Sequence, residues 1–136
     1  AMVTIAHQET YFTNVLGDNS LSASPFQIYQ PTRPAILKAM TRKGFKVPQK
    51  PMQLENHLTL ATYMAAFHIA QLIETHTRSN GRRSNFLCDM DRVTQAYNGG
   101  SAYPKNIYRK KIKLAHYLNR AYAGAMKKSN TAKQKS

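Results

Sequence analysis

The chain has 136 residues, with 20 Lys+Arg against 6 Asp+Glu and a formal net charge of +14 at pH 7; this length suits one core and excludes two independent enzymatic domains. With 42% apolar residues, among them eight Tyr and five Phe, the basic balance is not that of a disordered tail, and a folded protein with a polyanionic partner is expected. The single cysteine, Cys88, excludes an internal disulfide framework and a cysteine-based zinc site, and suits a reducing compartment, the cytoplasm.

Residues 3–16 place Val3, Ile5, Ala6, Tyr11, Phe12, Val15 and Leu16 at spacings that predict a helix ended by Gly17. Asp18 to Pro25 has loop composition, and Phe26-Gln-Ile-Tyr-Gln30 alternates apolar and polar residues ahead of Pro31, as a short edge strand does. Residues 33–43 predict a short helix stopped by Gly44, after which Pro48 and Pro51 make residues 45–52 an extended connector. Leu54 to Thr77 is the clearest helix. It is apolar nearly all round, so it is expected either at the centre of the core or between two subunits, and the second case implies a homodimer. Its densest stretch, Leu58 to Ile73, holds Thr59, Thr62, His68 and Gln71 and falls short of a membrane span.

Arg78 to Asn85 is a polar turn around Asn80-Gly81 that projects Arg78, Arg82 and Arg83. A helix from Phe86 to Tyr97 follows, with Asp89 and Asp91 as the acids of its early turns and Asn98-Gly99-Gly100 as its stop. Pro104 opens a final helix to about Lys128, and residues 129–136 read as a loose basic tail. The expected fold is thus mainly α, a single helical domain over residues 1–128 with one short N-terminal β-strand. No positively charged region precedes an apolar run at the N-terminus, so no signal peptide is expected.

The charge is concentrated. Residues 33–50 carry six Lys or Arg and no acid, and from Arg92 to Ser136 there are eleven and again no acid, the asymmetry that a polyanion-binding surface requires. On a wheel at 100° per residue, Lys105, Arg109, Lys113, His116, Arg120 and Lys127 fall in one sector roughly 80° wide, flanked by Lys110 and Lys128. The opposite half collects Ile107, Tyr108, Ile112, Leu114, Ala115, Leu118, Ala121, Tyr122, Ala125 and Met126. The final helix therefore has a core-facing side and a cationic side roughly 33 Å long, about one turn of duplex DNA. With no acid on this helix, none of its cations has a neutralising neighbour one turn away, and phosphates are the natural counter-charge.

Two docking geometries fit the spacing. Ala96 and Gly100 stand between a short and a long helix as in helix-turn-helix units, which would bring Asn106 and Arg109 to the bases, adenine suiting Asn and guanine suiting Arg. Alternatively, the strand at 26–30 followed by two helices gives a ribbon-helix-helix order, with Gln27 facing the major groove and the Leu54 to Thr77 helix buried in a dimer.

Other chemistries find little purchase. His7, His57, His68, His76, His116 and Cys88 show no metal-ligand spacing of three or four on one helix, so neither metal nor cofactor is expected. Cys88 lies beside Asp89 and Asp91, which oppose thiolate formation, and it reads as a small core residue. Asp89 and Asp91 are the only near pair of carboxylates and point to different helix faces; no phosphate-binding lysine loop, dinucleotide fingerprint or serine elbow is present, so no enzyme is expected. An anionic membrane would call for bulky apolar residues opposite the cations, where this helix carries Ala and Tyr.

The sequence therefore predicts a helical, cytoplasmic, nucleoid-associated DNA-binding protein, a dimeric transcriptional regulator or accessory factor. Its expected nucleic-acid contacts are Lys105, Asn106, Arg109, Lys110, Lys113, Arg120 and Lys127 on or beside the last helix, Arg82 and Arg83 from the loop, and Arg42, Lys43 and Lys46 as a second patch. The alternative is an RNA-binding or nucleic-acid-packaging protein of a virus or mobile element, with tyrosines such as Tyr117 beside the cations to stack on bases.

Overall fold

A computed structural model of the chain describes residues 1–48, 53–77, 85–98 and 104–135. The first helix, α1 (Met2–Thr10), stops well short of Gly17 because Tyr11 and Phe12 turn into the left-handed region, with φ of 50 and 64. Thr10 fixes this end: its hydroxyl donates to the carbonyl of Pro25 at 3.0 Å and accepts from the N–H of Thr13 at 3.0 Å. Released from the helix, the following residues form a three-stranded antiparallel meander, β1 (Leu16–Gly17), β2 (Ser22–Ala23) and β3 (Ile28–Tyr29). The register pairs Leu16 with Ala23 and Ala23 with Ile28. Asp18, Asn19 and Ser20 build the first turn at positive φ, where short polar side chains are tolerated.

The sequence read one strand at 26–30 and assigned Gln27 to a groove in the ribbon geometry. In the structure Gln27 is occupied within the meander, its side-chain amide donating to the carbonyls of Val15 and Ser24, both at 2.9 Å.

Helix α2 (Arg33–Arg42) buries Ile36 and Met40, one turn apart, and ends in a Schellman motif in which Phe45 N–H reaches the carbonyl of Met40. Gly44 supplies the φ of 91 that this motif needs. Phe45 then packs edge-on against Phe67 of α3 (Leu58–Thr77). A short 3-10 turn at Leu54–Asn56 precedes α3, where the sequence began the helix at Leu54. Ala61, Met64, Ala65 and Ile69 form the inward face of α3, packed against α1, α2 and the next helix. One chain is thus enough to make α3 the centre of a core, leaving Leu58 and Tyr63 exposed on its outer side.

Helix α4 (Phe86–Tyr97) starts at Asn85, whose side-chain oxygen accepts from the N–H groups of Leu87 and Cys88. At its other end the Tyr97 hydroxyl donates to the carbonyl of Phe26 at 2.8 Å, joining α4 to the meander. Burial there, followed by the nearby charge of Glu9, pushes the phenol pKa upward.

The last helix, α5 (Ile107–Lys135), spans 29 residues. Ile107 and Tyr108 are buried, and Ile112, Leu114, Ala115 and Leu118 are partly covered where α5 packs on α1 and α4. From Asn119 to Lys135 every residue is exposed. The core-facing side expected to include Ala121, Tyr122, Ala125 and Met126 therefore ends at Leu118, since no described element covers the helix beyond it. The backbone also stays helical over 129–135, where the sequence suggested a loose tail.

Candidate nucleic-acid interface

The base of α5 is held by an acid from the neighbouring helix. Asp91 shares the inward face of α4 with Met90 and Thr94 and is 3% exposed. One carboxylate oxygen accepts the backbone N–H of Arg109 at 3.1 Å, and the other accepts Nε of Arg109 at 2.6 Å. These charge-assisted bonds raise the guanidinium pKa further above its ordinary value. Because Arg109 lies in the first turn of α5, its N–H is one of those a helix start leaves without a partner, and Asp91 acts as a cap supplied by another helix.

Reading Asp91 as an early-turn acid of α4 missed this role. Its place one residue from Met90 and three from Thr94, on the buried stripe of α4, was the available signal. Asp89, also buried, pairs with Arg92 at 3.5 Å.

The other cations of the predicted stripe face outward. Lys105 and Asn106 sit exposed in the turn before the helix, and Lys110, Lys113, His116, Arg120 and Lys127 are exposed along it. Lys111 is different: it points to α1, where its ammonium donates to Nδ1 of His7. Burial lowers the pKa of both groups, and the charge of Lys111 lowers that of His7 further. Arg109, counted among the unneutralised cations from the sequence, has its counter-charge inside the protein, because the sequence offered no acid on α5 but could not place α4 beside it.

The second patch, Arg42, Lys43 and Lys46, is exposed at the end of α2. It belongs to another layer, since α2 packs on α3 while α5 packs on α1 and α4. Arg33 of the same basic segment is turned inward, its guanidinium donating to the carbonyl of Ile28 at 3.0 Å, with burial lowering its pKa against the raising influence of Glu55. Arg82 and Arg83 lie outside the described residues.

The opposite electrostatic sign collects in a cavity of about 670 Å³ lined by Glu9, Asp18, His68 and Tyr97 among others, with no Lys or Arg among its described lining residues. A phosphate has no counter-charge there. Among the described residues no group of three or more His, Cys, Asp or Glu could hold a metal ion, and no helix is long and apolar enough to cross a membrane. No protein-family model, curated protein or solved structure matches the chain.

Proposed function

We propose that the protein is a non-catalytic DNA-binding factor, a transcriptional regulator or accessory protein, that engages duplex phosphates through the basic side of α5. The observation that carries this proposal is the exposed, acid-free run from Asn119 to Lys135, which presents Arg120, Lys127, Lys128 and Lys135 to solvent. Two of the chain's acids, Asp89 and Asp91, are buried in ion pairs with Arg92 and Arg109, so they do not offset the field of that helix. Lys105, Lys110 and Lys113 extend the contact toward the body, and Arg42, Lys43 and Lys46 supply a second site for phosphate. Localisation to the cytoplasm with the nucleoid, and a homodimer covering Leu58 and Tyr63 of α3, belong to the same proposal.

The test is a titration of the full chain with labelled duplex DNA, single-stranded DNA and RNA at two salt concentrations. Binding to duplex that weakens steeply with salt supports the proposal. Equal displacement by a scrambled competitor points instead to packaging, and preference for unpaired RNA to the stacking alternative. Light scattering on the free protein tests the dimer.

A further inference from the structure

We propose that the free-standing half of α5 is a major-groove recognition helix for B-form DNA, read through Asn119, Arg120, Lys127, Asn130 and Gln134. This rests on the nucleic-acid function proposed above and moves base reading away from Asn106 and Arg109, the latter being held by Asp91.

The first ground is steric. A helix packed along its whole length on a body can offer only its outer face, and it touches a duplex from outside. Beyond Leu118, α5 is exposed on every side, and at 1.5 Å per residue it projects roughly 25 Å from the body. A helix with side chains is about 10–12 Å across and the major groove of B-DNA is about 12 Å wide, so this half fits into the groove lengthwise.

The second ground is the distribution of residue types around the free half. At 100° per residue the five named side chains share a sector about 100° wide. Asn and Gln match the paired donor and acceptor of adenine, and Arg matches the two acceptors of guanine. A small residue, Ala123, lies within that sector. The backbone can therefore approach the base edges closely. About a quarter-turn to one side stand Lys128 and Lys135. A helix lying in a groove has a phosphate wall on each side, and this arrangement sets two cations against one of them.

The third ground is the choice of duplex. The major groove of A-form RNA is too deep and narrow for side chains to read. A helix that works by insertion must then favour duplex DNA, whereas cations acting on phosphates from outside would bind both duplexes.

The experiment uses the full chain with a pool of DNA duplexes randomised over the central base pairs, followed by anisotropy titrations of the enriched duplex, a scrambled duplex and an RNA duplex of the enriched sequence. Enrichment of a sequence is expected, with the N119A/N130A variant losing about tenfold or more of the preference for it while retaining its salt dependence. The RNA duplex is expected to bind no better than scrambled DNA. Salt-dependent binding without enrichment, unchanged preference in N119A/N130A, or equal affinity for the RNA duplex overturns the groove-reading helix and leaves phosphate binding standing. Absence of salt-dependent binding to any nucleic acid overturns the function itself.

Discussion

Asp91 and Arg109 are joined at two points, backbone N–H to Oδ1 and Nε to Oδ2, so a buried carboxylate on α4 both caps α5 and fixes the side chain of its third residue. That pair anchors the start of α5, and packing on α1 and α4 holds the helix as far as Leu118, beyond which it is exposed on every side. Loss of the carboxylate leaves an uncapped helix start and an unpartnered guanidinium, and Asp91→Ala is expected to lower Tm by about 5 °C or more. Arg109→Ala is expected to lower Tm while changing duplex affinity less than Lys127→Ala does. Thermal unfolding by circular dichroism together with a duplex titration checks both, and an Arg109→Ala protein of unchanged Tm and much weaker affinity would return Arg109 to the DNA contacts.

The phosphate-contacting role of the outward cations has its own signature. Each contact removed should flatten the slope of log K against log salt by about 0.9. Lys128→Ala combined with Lys135→Ala is therefore expected to flatten it by nearly two units. The Arg42, Lys43 and Lys46 triple alanine variant measures the second patch in the same assay. A larger effect from the triple variant would make the end of α2 the principal contact.

What could be read before the structure was the part governed by local periodicity. Ile36 with Met40, and Ala61 with Ala65, announce α2 and α3 because helix spacing alone puts them on one face. The meander was legible only in its last strand, where Phe26 to Gln30 alternates apolar and polar residues, whereas β1 and β2 carry no such alternation. The stop of α1 depends on Thr10 reaching Pro25, a tertiary contact that the string of apolar residues through Leu16 does not contain. The same limit hid the neutralisation of Arg109. The stripe on α5 was visible, but which of its members would face solvent depended on the position of Asp91 and on where the packing of α1 and α4 ends, near Leu118.

A free helical half should be sensitive to intrinsic propensity, because packing contributes nothing to it. Gly124 sits within this half with no atom near the place of a Cβ. Gly124→Ala is expected to stabilise the helix by about 1 kcal/mol, seen as more helical ellipticity and weaker amide exchange beyond Leu118. If recognition requires this half to be helical, duplex affinity should rise with it. Stronger ellipticity with unchanged affinity would show that binding does not depend on the helicity of this half.

Stability should fall on mild acidification. Burial lowers the pKa of His7, as does the charge of Lys111, and burial lowers that of His68 against the opposing hydrogen bond from Gln71. Each group holds fewer protons folded than unfolded below the ordinary value of 6.5, so its contribution is complete above that pH and is lost as pH drops through the lowered folded value. Urea unfolding midpoints at pH 7.5, 6 and 5 are expected to decrease in that order. His68→Gln should flatten the decline, and a midpoint independent of pH across this range would exclude both histidines.

Thr4 offers a test of the core. It is fully buried on α1, and its hydroxyl has no hydrogen-bond partner among the described residues. A buried hydroxyl without a partner costs its lost hydration, on the order of 1 kcal/mol or more. Valine keeps the branched shape and replaces the hydroxyl by a methyl group, so the pocket beside Ile5 and Ala6 stays filled. Thr4→Val is therefore expected to raise stability by about 1 kcal/mol in urea unfolding. Thr4→Ala removes the hydroxyl too but leaves a void, and is expected to gain less or to lose stability. A Thr4→Val protein less stable than the parent would mean that the hydroxyl has a partner in solution, such as a bound water, on which the packing of α1 depends.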